Sequence, residues 1–324
     1  MITHPSRSAR LFLASLIVFI GGGAAVFAQE DIDLRLFRPQ IDLSGETFQD
    51  KPFDDQPGEE YGSDALSFAA NIPLGKLHVR WDKKYRASQF FAHVVASRSS
   101  PNISFLTGEQ RQLYSGVLAA SGVWLSKNSN LYVASAGGSF AEDDRTIHDL
   151  EVRPYALFLG THKVREWITL VYGGAATYQL GKGLALPVLG MVWWINPKWT
   201  VIGTLPFSVS AGYRINDDLA LRLGLGFAGN RYRFANDGEF AGQPEIVYLS
   251  TLQSRLTAEL EWKAGDAVSL YAQGGTTQTL QFAFSGDENI GGDKFVDDST
   301  VATGYLKVGA RFTFGKSILD DWKK

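Results

Sequence analysis

Residues Tyr305 to Phe314 read Y-L-K-V-G-A-R-F-T-F, and their strict alternation decides the fold class of this chain. In a strand, successive side chains point to opposite faces, so this stretch has one apolar face and one polar face. The apolar face carries Leu306, Val308, Ala310, Phe312 and Phe314. The opposite face carries Lys307, Gly309, Arg311 and Thr313. Such a strand near the chain end is typical of the last strand of a transmembrane β-barrel.

The same stretch resembles the C-terminal signal that the insertion machinery of the bacterial outer membrane reads. Its polar positions are Lys307 and Gly309, and its apolar positions are Phe312 and Phe314. We therefore expect the barrel-insertion machinery and outer-membrane lipid to be partners of this protein.

The N-terminus predicts export. Arg7 and Arg10 precede an apolar core from Leu11 to Ile20, and Val26-Phe27-Ala28 has the small residues of a cleavage site. The core is shorter than the ~20 residues that a membrane-spanning helix needs. We therefore predict a signal peptide at residues 1–28 and, with the barrel, a location in the outer membrane of a Gram-negative cell.

Composition excludes several classes of function. The chain has 324 residues, no cysteine and a formal net charge of −3, with 20% charged residues. Disulfides, thiol catalysis and cysteine metal sites are therefore excluded, and the small charge argues against a nucleic-acid partner. The most apolar stretch of the mature chain, Leu184 to Ile195, is interrupted by Pro187 and Gly190, which argues against a helical membrane protein.

Further alternating segments lie at residues 207–215, 219–228 and 252–262. Each has an oily face and a small, polar or charged face, as lipid-facing and lumen-facing sides of a barrel require. The predicted lumen-lining residues are Arg214, Arg222, Arg255, Glu259, Glu261, Lys307 and Arg311. A soluble sandwich has the same period with its oily face inward, and this alternative stays open on the pattern alone.

Tryptophan placement favours the barrel, because membrane barrels gather aromatic residues at the headgroup level. Most tryptophans lie within a few residues of a short turn, which would place these turns together on the periplasmic side. The predicted membrane-interface residues are Trp124, Trp167, Trp193, Trp194, Trp199 and Trp262.

If the first ascending strand lies near Ala65 to Ile72 and the chain crosses the membrane between successive breaks, the sequence predicts an all-β, antiparallel up-and-down transmembrane β-barrel of 14 strands. Two pieces, Lys76 to Trp81 and Trp199 to Leu205, fall below the ~9 residues of a tilted span. If both merge with neighbours, the barrel has 12 strands. We place the barrel at residues 63–314 and a periplasmic tail at residues 315–324.

Residues 29–62 are predicted to form a mobile periplasmic arm or, alternatively, a plug in the lumen. Leu34 to Leu43 has the composition of a strand, but Ser44 to Glu60 is acidic and contains Pro52 and Pro57.

Three stretches resemble a bacterial outer-membrane β-barrel family classed only as a domain of unknown function. They are Leu186 to Pro206, which reads L-P-V-L-G-M-V-W-W-I-N-P-K-W-T-V-I-G-T-L-P, then Tyr213-Arg214-Ile215, and Asn230 to Phe234. The likeness begins near Tyr155. The resemblance implies the fold and the location, and it brings no catalytic residues with it.

No catalytic constellation stands out. The best acid and base candidates are His148 with Asp143, Asp144 and Asp149, in a segment that reads more simply as a solvated acidic loop. An outer-membrane acyl hydrolase with a dispersed triad is the remaining enzyme alternative. We predict no enzyme, no cofactor and no metal site.

The leading functional hypothesis is a passive channel or small-solute transport protein, with small solutes as ligands. Inward charges that stay apart would keep a lumen open, whereas the same charges paired in a dense network would close it. The alternative is a closed structural or surface-interaction barrel that acts through its extracellular loops.

Overall fold

The computed structural model describes residues 39–79, 85–106, 110–126, 128–177, 184–206, 208–287 and 293–314. The predicted signal peptide (residues 1–28), residues 29–38 of the predicted arm and the predicted tail (residues 315–324) lie outside these ranges. In the part of the chain that is described, no helix has the length and apolar character needed to cross a membrane.

The regular structure of the described residues is β-strand. The strands are β1 (Gln40–Pro52), β2 (Glu60–Pro73), β3 (His78–Val79), β4 (Tyr85–Ile103), β5 (Leu113–Ser126), β6 (Leu131–Asp143), β7 (Arg153–Arg165), β8 (Ile168–Thr177), β9 (Leu184–Trp194), β10 (Trp199–Leu205), β11 (Ser208–Arg214), β12 (Leu219–Ala235), β13 (Ile246–Lys263), β14 (Val268–Ser285), β15 (Lys294–Asp298) and β16 (Thr303–Thr313).

Fourteen of these strands form a closed antiparallel barrel, which confirms the predicted fold class and strand number. The two others are short: β3 pairs with β4, and β15 pairs with β14. The barrel closes where β1 pairs with β16, from Gln40 opposite Thr313 to Phe48 opposite Tyr305. The opening sequence stretch is therefore one partner of the closing pair.

The prediction of an arm or plug is wrong for residues 40–62. Residues 40–52 form β1, which pairs with β2 along its other edge, and β2 begins at Glu60. Pro52 is the last residue of β1 and Pro57 lies in the following turn, so neither proline interrupts the ladder. The acidic residues Asp42 and Glu46 face the lumen, where arginines neutralise them.

The predicted strand from Lys76 to Trp81 is also wrong as a separate crossing. Of its described residues, 76–79, only His78–Val79 is a strand, which pairs with Ser88 and Ala87 on the edge of β4 that pairs with β2 closer to the long-loop end. One strand is thus lost and β1 is gained, so the count of fourteen stands. The direction of β2 is reversed relative to the prediction, because β1 is the first ascending strand.

The two ends of the barrel differ. Turns at residues 128–130, 166–167, 195–198, 215–218 and 264–267 lie at one end, called the short-turn end. The ends of the described barrel, Gln40 and Thr313, pair with each other at this same end. The described connecting residues 53–59, 104–106, 110–112, 144–152, 236–245, 286–287 and 293–302 lie at the other end, the long-loop end.

The barrel narrows toward the long-loop end because β7 to β11 stop short. Beyond them, β12 meets β6 directly, with Arg233 of β12 opposite Glu142 of β6. The extensions of β1, β2, β4, β5, β6, β12, β13 and β14 therefore continue as a smaller tube above the wide part of the barrel.

Two apolar clusters fill parts of the interior. The apical cluster, at the long-loop end, is the set of buried residues Phe48, Phe53, Tyr61, Ile103, Leu113, Ala141, Tyr232, Phe234, Val247, Leu249, Phe282, Phe284 and Tyr305. The basal cluster, on the inner side of β4 to β9 toward the short-turn end, is the set Ala87, Phe91, Val123, Leu125, Leu131, Val133, Leu159, Val171, Val188 and Val192. Apolar residues thus line much of the interior as well as the outer wall.

Candidate functional site: a charged lumen between two apolar clusters

A charged belt lies on the inner wall below the apical cluster. Arg255 of β13 donates to both carboxylate oxygens of Glu46 on β1, at 3.1 and 3.3 Å, although β14 and β16 separate the two strands. Tyr305 stacks under the guanidinium, with its ring centroid 4.7 Å from the Arg255 Cζ, and its hydroxyl lies 3.3 Å from Glu46. A fork-shaped guanidinium matches a carboxylate in this way and holds both in fixed geometry.

The same arrangement recurs four residues away along β1, closer to the short-turn end. Arg311 donates to Asp42 at 3.0 Å and to Glu261 at 3.3 Å. Tyr271 lies under this guanidinium at 5.0 Å and donates its hydroxyl to Asp42 at 2.8 Å. Asp42 and Glu46 are four residues apart on β1 and thus share its inner face.

Gly309 allows Tyr271 to lie flat against the wall. A Cβ atom at Gly309 would lie 2.5 Å from the Tyr271 ring and 2.7 Å from the carbonyl oxygen of Leu43. Gly309, predicted as part of the insertion signal, therefore also has a packing role in the folded barrel.

A cavity of about 110 Å³, with charged, hydroxyl-bearing and apolar side chains in its wall, lies between the belt and the apical cluster. Its charged walls are Asp42, Glu46, Arg255 and Lys307, and Phe48 and Tyr61 line it from the apical side. The part of its wall formed by β2, β4 and β5 carries hydroxyl groups, those of Ser63, Ser67, Ser97, Ser99 and Ser115. The cavity has room for a few waters or one small polar group.

The structure brings most of the predicted lumen-lining residues together. Arg255, Glu259, Glu261, Lys307 and Arg311 lie on the inner face of β13 and β16, and Glu259 is the cross-strand neighbour of Arg222. Arg214 stands apart at the end of β11, exposed at the short-turn rim.

Sequence reasoning missed Asp42 and Glu46, the two carboxylates of β1 that pair with the predicted arginines. The signal was present in I-D-L-S-G-E-T-F, where Ile41, Leu43 and Gly45 alternate with polar residues as in β16. With these two acids, the charged residues named on the inner wall are nearly balanced between basic and acidic.

Most predicted interface tryptophans point outward near the short-turn end. Trp167, Trp199 and Trp262 are between 39% and 52% exposed, and Trp193 packs against Trp167 with ring centroids 6.4 Å apart. Trp124 packs edge-to-face on Phe90.

Trp194 differs from the prediction. Its side chain packs against the basal cluster inside the barrel, because it follows the inward phase of Val188 and Val192 on β9. Two adjacent tryptophans in a strand cannot share one face, so only Trp193 faces outward.

Ion pairs hold the junction of β6 and β12 together. Asp143 accepts from Arg111 at 3.0 Å, from the Ala235 amide at 3.0 Å and from the Thr146 amide at 2.8 Å. Asp143 was an acid and base candidate with His148, but these donors make it a structural residue of the junction. Among the described residues, no group of three or more metal-ligating side chains comes together.

A closed barrel with an even strand number and an apolar outer face is the architecture of bacterial outer-membrane proteins. The protein is an outer-membrane β-barrel. A family model described as "Domain of unknown function (DUF6268)" matches residues 125–290. The chain belongs to this family. The match starts before Tyr155, so the family extends farther toward the N-terminus than the predicted likeness.

Solved structures with a similar fold are outer-membrane barrels. The COG4313 outer membrane channel from Pseudomonas putida F1 is 10% identical, with a TM-score of 0.44, over 86% of this chain and 96% of that one. A Pseudomonas aeruginosa FadL homologue is 11% identical, with a TM-score of 0.33, over 90% and 92%. The transport unit of the autotransporter AIDA-I from Escherichia coli is 8% identical, with a TM-score of 0.36, over 94% and 99%. No curated protein matches the chain.

Proposed function

We propose that this protein is an outer-membrane transport barrel for small solutes, seen here with its lumen closed. The observation that carries the proposal is the charged cavity between the two apolar clusters. It supports transport because it places charged and hydroxyl-bearing side chains around a space inside the barrel.

The energetics favour this interpretation over a purely structural core. Desolvating an ion costs several kcal/mol, and replacing a buried ion pair with packed apolar residues is often neutral or stabilising by about 1–4 kcal/mol. Glu46 and Arg255 are largely buried, with side chains 8% and 11% exposed. A barrel selected only for stability would have little reason to retain them between two apolar clusters.

The apical cluster is the barrier that transport must open. Phe282 and Phe284 are fully buried, and Phe53 packs on Phe282 with ring centroids 5.0 Å apart. Passage from outside therefore requires displacement of aromatic side chains or of the loops that carry them.

Conductance in planar bilayers tests the proposal. We expect the wild-type protein to open rarely and the double variant F282A/F284A to conduct steadily, because its apical barrier is thinned. The matched control is Phe158→Ala, which removes a ring that is 49% exposed on the outer wall. If F282A/F284A folds and is silent across pH and voltage, the transport proposal is wrong.

A closed structural or surface-interaction barrel is the second candidate. It is favoured by the paired charges Arg255–Glu46 and Arg311–Asp42 and by the ion-paired junction of β6 and β12. Shortening the loop at residues 236–245 distinguishes the two functions. Loss of a surface phenotype with unchanged solute uptake would support the second candidate.

A further inference from the structure

In the described part of the chain, the barrel wall has a gap between β9 and β12. β10 and β11 are only seven residues long each, and β10 pairs with β9 only from Leu189 to Trp194. β11 pairs with β12 only as far as Gly226. Among the described residues, therefore, Leu184 to Val188 of β9 and Phe227 to Asn230 of β12 each have a strand partner on one edge only. We call this gap the side notch.

The sequence is adapted to an unpaired edge at this position. Pro187 lies in the unpaired stretch of β9, and proline is tolerated in a sheet where its missing N–H faces away from a ladder. Two short strands stand between β9 and β12, so at its floor the notch is three strand spacings wide, on the order of 14 Å. Toward the long-loop end, the notch is bounded by the contact in which Arg153 donates to the Arg231 carbonyl at 2.8 Å.

The notch lies near the outer boundary of the apolar belt. On β12, Leu223 and Leu225 are both 50% exposed on the outer wall, immediately below the unpaired stretch. At the floor, Leu189 and Leu205 are 62% and 63% exposed. Unpaired backbone groups facing hydrocarbon cost several kcal/mol each, so the edges of such a notch favour an occupant with polar groups.

The lumenal cavity reaches the same stretch of chain. Ala228, Gly229 and Asn230 line the cavity, and all three belong to the unpaired part of β12. The inner side of the notch is therefore part of the cavity wall, and its outer rim is apolar.

We propose that the side notch is a portal through which a small amphipathic solute passes between the outer leaflet and the lumenal cavity. The proposal rests on the transport function proposed above and names its route and solute class. The apical cluster closes the route along the barrel axis, whereas the notch bypasses this cluster. A solute with an apolar body and one polar group matches the apolar rim and the charged cavity behind it.

Single-cysteine labelling tests the portal directly, because the chain has no native cysteine. Ala228→Cys places a fluorophore at the cavity and the notch. The matched control Ser115→Cys places it at the same cavity on β5, which has strand partners on both edges. With quencher groups on the lipid acyl chains, we expect the label at position 228 to lose most of its fluorescence and the label at position 115 to keep it. Equal quenching at the two positions overturns the portal.

Uptake of two probes separates the portal from transport as such. Ala185→Trp, on the exposed unpaired edge of β9 and outside the cavity lining, should slow entry of an uncharged amphipathic naphthylamine dye several-fold into cells and leave entry of arabinose unchanged, whereas Ser115→Trp should not slow the dye selectively. If the wild-type protein admits arabinose and Ala185→Trp leaves dye entry unchanged, the portal is wrong and transport stands. If the wild-type protein admits neither probe, the transport function itself is wrong. A heat-dependent gel shift confirms that each variant is folded.

Discussion

Arg255 of β13 and Glu46 of β1 form a two-pronged ion pair across two intervening strands, at 3.1 and 3.3 Å. Glu46 lies in a segment whose composition suggests disorder, and Arg255 lies in a strand that its periodicity predicts. The pair links the closing strand to the wall and closes part of the lumen at the same time.

Removing one partner of this pair should be more harmful than removing both. We expect Arg255→Met to lower the free energy of unfolding by about 3–5 kcal/mol, because Glu46 would be left buried and unpaired. The double variant E46M/R255M should recover much of this loss. Urea unfolding in detergent or lipid vesicles measures both values.

Arg214→Met is the control for this experiment, because Arg214 is exposed at the short-turn rim. A surface substitution of this kind should change stability by no more than about 0.5 kcal/mol. If the two single variants Arg255→Met and Arg214→Met are equally stable, the ion pair contributes nothing.

Proline placement should distinguish a fully paired strand from the unpaired edge of β9. Leu43→Pro removes a backbone donor from β1, which is paired on both edges, so we expect loss of the heat-resistant barrel band on gels. Ala185→Pro lies in the same phase as Pro187, on an edge without a described partner, and should leave the band intact. Loss of the band in both variants would contradict the unpaired edge.

The tryptophans should separate into lipid-facing and interior groups. Trp199 is 39% exposed on the outer wall, whereas Trp194 packs on the basal cluster. Trp199→Phe should therefore remove fluorescence that brominated lipids quench, and Trp194→Phe should remove fluorescence that they do not. The opposite result would place Trp194 at the membrane interface, as the sequence predicts.

The junction of β6 and β12 should depend on Asp143, which is fully buried and accepts from Arg111, Ala235 and Thr146. Asp143→Asn removes one of three carboxylates around the Arg111 guanidinium, with Asp237 and Glu239 remaining at 2.8 and 3.5 Å, so we expect a loss of about 1–3 kcal/mol from the unsatisfied buried donors. Hydrogen exchange of the amides from Arg231 to Ala235 should accelerate.

Asp217→Asn, in an exposed short turn, is the matched control for the junction and should leave exchange in β12 unchanged. Unchanged exchange in Asp143→Asn as well would show that the backbone ladder with β13 alone holds the end of β12.

The insertion signal is a prediction that the folded barrel does not test. Lys307 faces the lumen, Phe312 and Phe314 are 41% and 40% exposed on the outer wall, and Gly309 lies against Tyr271. These positions are compatible with a strand that the insertion machinery recognises before folding and whose side chains pack in the folded barrel.

The sequence by itself determined the barrel, because the two-residue alternation of apolar and polar side chains indicates which face of each strand contacts lipid. Lys307 and Arg311 alternate with Leu306, Val308 and Phe312, and the structure keeps every one of them on the predicted face. The strand number also followed, although through two errors that cancel: Lys76 to Trp81 was counted as a crossing and Gln40 to Pro52 was not.

Only the tertiary structure decided how the inner charges pair and how the wall is closed. The partners Arg255 and Glu46 are far apart in sequence, and nothing in a local pattern states that they meet. The prediction for Trp194 is wrong for a related reason. Proximity to a turn indicates how deep a side chain lies in the membrane, whereas the phase of the strand determines whether it faces the lipid or the lumen. The side notch depends on where β10 and β11 end relative to β9 and β12, and this register is set by pairing between strands.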